Sequence, residues 1–121
     1  MSIYMQKKKI KSPRAKGHKY ELDVVKLFKS LGWDCVTSRS ESKRTDDAGV
    51  DICYTAPFQI QAKAWERAAS YHEVLAKMPQ KKGTYNLLFH KRNRQGSVVV
   101  MKQEDFVELL EMLIANKIIK P

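Results

Sequence analysis

"GVDICYTAPFQIQAKAW", residues 49–65, sets two short apolar-rich stretches on either side of a proline turn. In the second stretch Phe58, Ile60 and Ala62 alternate with Gln59, Gln61 and Lys63, the period of a strand with one face toward a core. "AP" at 56–57 marks a tight turn, so "VDICYT" (50–55) and "FQIQAKAW" (58–65) read as a hairpin. Side chains on one face of a strand repeat every second residue, which brings Asp51 beside Gln61 and Lys63 across that hairpin.

Working outward, "WDCVTS" (33–38) reads as a strand and "RSESKRTDDAG" (39–49) as a polar loop. Before them, residues 17–31 carry helical spacing, with Tyr20, Val24, Leu27 and Leu31 on one stripe and Glu21, Val25 and Phe28 on another. Gly32 stands where a helix-terminating glycine is expected. Downstream, "SYHE" (70–73) has the form of a capping box and opens a short helix that Pro79 ends. "TYNLLFHK" (84–91) and "SVVVMK" (97–102) flank the basic turn "RNRQG" as a second hairpin, and an amphipathic helix runs from Gln103 to Asn116, apolar at Phe106, Leu109, Leu110, Leu113 and Ile114. The order α-β-β-β-α-β-β-α predicts an α/β domain with a central mixed sheet flanked by helices. A chain of 121 residues fits one such domain, placed at 17–121, behind a basic flexible arm at 1–16 in which Pro13 argues against a continuous helix.

Hydrophobic content of 43% beside 30% charged residues marks a globular chain. No apolar run approaches the ~20 residues of a membrane span, and the basic start lacks the apolar stretch of a secretion signal. The expectation is a cytoplasmic protein with no membrane partner. Cys35 and Cys53 read as buried reduced thiols, without the Cys/His spacing of a zinc site. The formal charge is +10, and Lys7, Lys8, Lys9, Lys11, Arg14, Lys16 and Lys19 all precede the first acid, Glu21. Such an arm suits a polyanion, and because it lacks the apolar face of a membrane-surface helix, nucleic acid is the expected partner. Lys43 and Arg44 in the polar loop, with Lys91, Arg92 and Arg94 around the second turn, extend that basic surface. Contacts of this kind track phosphates and make binding steeply salt-dependent.

Three charged residues fall where burial would exclude them unpaired: Glu21 on a helix face shared with Val25 and Phe28, Asp51 between Val50 and Ile52, and Lys63 in a strand otherwise fit for burial. They are expected to converge on one another or on an ion. Two carboxylates and an amide oxygen would suit magnesium or manganese, and with a lysine beside them would serve a metal-dependent nuclease. A partly exposed Asp51–Lys63 salt bridge, with Glu21 paired to a lysine, accounts for the same residues without chemistry. His18, His72 and His90 have no partner at ligand spacing and read as structural or DNA-contacting. Tyr20, Tyr71 and Tyr85 read as core or rim residues, and Trp65 as either packing on the next helix or facing DNA.

Glu21 on the first helix, then "GVD" (49–51) and "QAK" (61–63), resembles the PD-(D/E)xK nuclease superfamily. Within it, "KGHKYE" (16–21), "GWDCVTS" (32–38), "SESKRTD" (40–46) and "GVD" are similar to the archaeal-type Holliday junction resolvases, a likeness that spans residues 16–65 and fits a phage- or virus-encoded relative. The resemblance implies a restriction-endonuclease-like core and a homodimer that makes paired symmetric nicks in four-way DNA junctions. It also implies a requirement for magnesium, with manganese as substitute, and no small-molecule cofactor. Asp51 would be the principal metal ligand, Gln61 and the Ala62 carbonyl would complete the protein's share, and Glu21 would hold a metal-bound water or a second ion. Lys63 would orient the attacking water and offset phosphate charge. Ser40 matches the family serine near the scissile phosphate, with Ser38 and Ser42 close enough to compete. Gln61 departs from the pattern, since the resolvases carry an acid there, and its "QxK" form resembles Mrr-type restriction nucleases. The alternatives are therefore an Mrr-like or other branched- or linear-DNA endonuclease, or a non-catalytic nucleic-acid-binding module. The last helix, extended by Ile118 and Ile119, offers either ordinary core packing or a dimer surface.

Overall fold

A computed structural model describes residues 13–41, 49–67 and 70–121. The chain forms helix α1 (Pro13–Ser30), strand β1 (Val36–Thr37), the single turn α2 (Ser38–Glu41), strands β2 (Ile52–Cys53) and β3 (Phe58–Lys63), helix α3 (Tyr71–Lys77), strands β4 (Tyr85–Arg92) and β5 (Gly96–Val100), and helix α4 (Gln103–Ala115). These build a mixed α/β fold around one five-stranded open sheet in the order β1-β2-β3-β4-β5. β1, β2 and β3 pair antiparallel, β3 and β4 are parallel from Phe58↔Tyr85 to Lys63↔His90, and β5 returns antiparallel to β4. A parallel pair needs a crossover longer than a turn, and α3 lies within it.

Helix α1 begins four residues before the expected Gly17. Proline is favoured at a first helical position, where its fixed φ suits the helix and its missing N–H would have no partner, so Pro13 opens the helix; the rest of the expected arm, 1–12, lies outside the described residues. The face toward the sheet is Tyr20, Glu21, Val24, Val25 and Phe28, all buried. Leu27 and Leu31 are instead 47% and 64% exposed. At about 100° per residue Leu27 falls just outside the buried arc, and Leu31 lies past the last helical residue. Gly32 ends the helix as expected: at φ 113° it occupies the left-handed region, and Trp33 N–H reaches back to the Phe28 carbonyl at 3.0 Å.

The main core packs Tyr20, Val24, Val25 and Phe28 against Cys35, Ile52, Ile60, Ala62, Leu87 and Phe89. On the other face of the sheet Leu75 and Met78 cover Leu88. Tyr85 through His90 are therefore buried at every position, the pattern of a strand covered on both faces. β1 and β2 are shorter than the expected 33–38 and 50–55 because Ser38 turns into α2. Its N–H donates to the Asp51 carbonyl at 2.7 Å, and its hydroxyl donates to the Val50 carbonyl. The capping box at 70–73 does not form: Ser70 takes the N-cap position, yet at φ −82°, ψ 85° its hydroxyl makes no cap hydrogen bond. Cys35 and Cys53 are free thiols as expected, Cys35 buried and Cys53 half-buried.

Candidate active site

Bonds to Ile60, Ser38 and Ala62 help to position Asp51. Its N–H donates to the Ile60 carbonyl at 2.8 Å, its carbonyl accepts from Ser38, and its Oδ2 accepts from the Ala62 N–H at 2.8 Å. The carboxylate thus sits 8% exposed at the point where α2, β2 and β3 meet. On β3, Ile60 and Ala62 face the core, and Gln61 and Lys63 point the other way, as the alternation requires. Gln59 shares their face but is structural, its amide donating to the Pro79 carbonyl at 2.7 Å and to Asn86 Oδ1 at 2.6 Å.

A cleft of about 320 Å³ opens over these groups, and Glu21, Asp51, Gln61, Ala62 and Lys63 all line it. Four elements contribute: Arg14, Gly17 and Glu21 from α1, Arg39 from α2, Asp51 before β2, and Gln61 to Trp65 from β3 onward. Glu21 is buried and its Oε1 accepts from Arg39 Nε at 3.2 Å. Lys63 forms no ion pair among the described residues. Its ammonium lies over the Trp65 ring at 5.1 Å from the centroid, a cation–π contact. The Asp51–Lys63 salt bridge of the non-chemical alternative is absent, and the cation on Glu21 is an arginine rather than a lysine.

Among the described residues no three His, Cys, Asp or Glu side chains converge. The donors available are two carboxylates, the Gln61 amide oxygen and backbone carbonyls. All are hard oxygen ligands, which suit magnesium or manganese. Arg39 is the residue the sequence reading missed. It lies in a stretch read as loop, and the only signal for it was the need of a buried Glu21 for a cation. Trp65, left open by the sequence, stands at the cleft and is 38% exposed.

The serines divide differently from the resemblance. Ser38 is fully buried and structural. Ser40 is exposed, does not line the cleft, and donates its hydroxyl to the Thr37 carbonyl at 2.8 Å. Ser42 lies outside the described residues, as do Lys8, Lys9, Lys11, Lys43 and Arg44. Of the other basic residues, Arg14 lines the cleft and Arg92 and Arg94 are exposed on the second turn. Lys91 rests over the Tyr20 ring at 6.0 Å, and Lys16 pairs with Glu66 at 2.8 Å. Glu66 also accepts from the Asn93 N–H at 3.0 Å, which ties the basic turn to the segment beside the cleft. Lys16, then the Asn93 N–H, holds its carboxyl below the usual range. His90 is structural: its ring bridges the Trp65 carbonyl and the Tyr71 hydroxyl, each at 3.0 Å. A carbonyl can only accept, so Nε2 donates to it, and in the neutral ring Nδ1 then accepts from Tyr71.

Comparison with protein-family models, with curated proteins and with solved structures returns no match. No helix among the described residues is long and apolar enough to cross a membrane.

Proposed function

We propose that the chain is a cytoplasmic, divalent-metal-dependent endodeoxyribonuclease with a restriction-endonuclease-like core, acting as a homodimeric Holliday junction resolvase. The supporting observation is that Glu21, Asp51, Gln61 and Lys63, chosen from the sequence, line one cleft. The succession α1-β1-β2-β3-α3-β4 also follows that of the resembled superfamily, with α2 inserted.

Asp51, Gln61, the Ala62 carbonyl and Glu21 would hold the metal, which supplies Lewis acidity toward the phosphate and an activated water when bound. Lys63 lies over Trp65 and pairs with no carboxylate among the described residues, so its charge would orient the attacking water and offset charge developing on the phosphate. Arg39 holds Glu21 in the absence of substrate and offers a second cation to an incoming phosphate. The exposed Arg92 and Arg94 position the duplex through its backbone, which carries no base sequence and suits selection by DNA shape.

The test compares a mobile four-way junction with linear duplex, flap and single strand, with magnesium, with manganese and with chelator. Paired nicks in the junction, lost with chelator, are expected. Preference for linear duplex would replace the resolvase reading with the Mrr-like one, which the amide at Gln61 favours. Salt-sensitive binding without cleavage at any concentration of either metal would leave a non-catalytic binding module.

A further inference from the structure

Helix α4 contains no buried residue. It is tied to the sheet through Tyr85, whose hydroxyl donates to Glu108 Oε1 at 2.5 Å and lies 3.5 Å from Met112 Sδ. A helix of 13 residues is marginal in water without tertiary packing. Yet Phe106, Val107, Leu113 and Ile114 are each between 36% and 50% exposed. Nine of the fourteen large exposed apolar side chains among the described residues fall within 98–119, so the unpaired apolar surface gathers at this end of the molecule. At about 100° per residue, Phe106, Val107, Leu110, Leu113 and Ile114 form one stripe, while Glu108 and Met112 lie on the side of Tyr85.

The charges on this segment say what covers the stripe. Glu104, Asp105, Glu108 and Glu111 all lie in the first nine helical residues, with only Lys102 at the N-cap, 3.4 Å from Glu104, set among them, and Lys117 and Lys120 follow the helix end. Lys117, at φ 59°, closes the helix, its N–H donating to the Ile114 carbonyl and that of Ile118 to the Leu113 carbonyl, both at 2.9 Å. A parallel pair of such helices would set acid against acid. An antiparallel pair sets each acidic end against the other's basic end and opposes the helix dipoles. The same patch on both copies then closes as a two-fold.

We propose that α4 is the self-association surface, two copies packing their stripes antiparallel about an axis at Leu110. Phe106 meets the partner's Ile114, Val107 meets the partner's Leu113, and Glu104 lies beside the partner's Lys117. The pairing does not depend on what the cleft catalyses, and its test uses no DNA.

Sedimentation equilibrium of the full chain should give a two-chain mass at micromolar concentration. Leu113→Glu should raise the dissociation constant about 30-fold or more, the effect of a central interface residue, while far-ultraviolet circular dichroism keeps the sheet signal. Lys117→Glu should weaken the pair about fivefold through its two symmetric contacts, and Glu104→Lys in the same chain should restore it, with circular dichroism of both variants matching the parent. Leu110→Cys should cross-link to itself under mild oxidation. Gln103→Cys, carrying the same native thiols, should not, since its two copies stand about 20 Å apart along an antiparallel pair. A monomer at sub-millimolar concentration, a species larger than two chains, an unchanged Leu113→Glu protein, or equal cross-linking at 103 and 110 would each overturn the assignment.

Discussion

One oxygen of the Asp51 carboxylate accepts from the Ala62 N–H and so fixes the side chain at the cleft. An asparagine can still accept that bond, so Asp51→Asn should keep the fold and DNA binding while lowering junction nicking by about a thousandfold, as expected when a charged group at a phosphoryl site is lost. Retention of most nicking activity would remove the metal site from the account. Asp51→Ala also leaves the Ala62 N–H without that acceptor and should cost a further ~1–3 kcal/mol in urea unfolding. Arg39 and Glu21 form the other decisive pair. Arg39→Ala strands a carboxylate that is 6% exposed and should destabilise by about 1–3 kcal/mol. Glu21→Gln should recover most of that loss, whereas strictly additive losses in the double-mutant cycle would show that the two are uncoupled.

Among the elements, β3 and its hairpin with β2 could be read from sequence because a period of two assigns every residue to a face. Helix α1 was harder. Two overlapping stripes both had helical spacing, and only contact with the sheet chose Tyr20, Glu21, Val24, Val25 and Phe28 over Leu27 and Leu31. Central β4 should be the least tolerant element: Leu88 is fully buried, and Leu88→Ala should cost ~2–5 kcal/mol. Helix α4 hangs on Tyr85, whose hydroxyl is pushed up to about 12 first by its hydrogen bond to Glu108, then by burial. A tyrosine pKa raised in the folded state stabilises fully below its ordinary value near 10 and loses that contribution as pH rises toward about 12. The attachment of α4 should therefore weaken across that window, read as falling helicity alongside tyrosinate absorbance. Tyr85→Phe should abolish the pH dependence, and an identical titration in that variant would remove Tyr85 as its source.

At the scale of the whole molecule, the net charge of +10 and the bond network through Glu66 combine into one surface. Lys16 and Asn93 meet on that carboxylate, which holds the Arg92–Arg94 turn beside the segment that follows Lys63. DNA affinity should fall steeply with salt, and Arg92→Ala and Arg94→Ala should each reduce the slope of log affinity against log salt by about one. Unchanged slopes would place the duplex elsewhere on the protein.

The sequence by itself determined what rests on local periodicity and on the cost of burying charge. Those are the mixed α/β order, the β2–β3 hairpin, the stop at Gly32, and the placing of Glu21, Asp51, Gln61 and Lys63 along one cleft. Tertiary structure alone decided which side chain neutralises Glu21, that Ser38 is sealed inside while Ser40 is exposed and does not line the cleft, and that none of the residues of α4 is buried. Each of those outcomes depends on which segments meet in space, and a contact between residues far apart in the chain leaves no imprint on the spacing of either one.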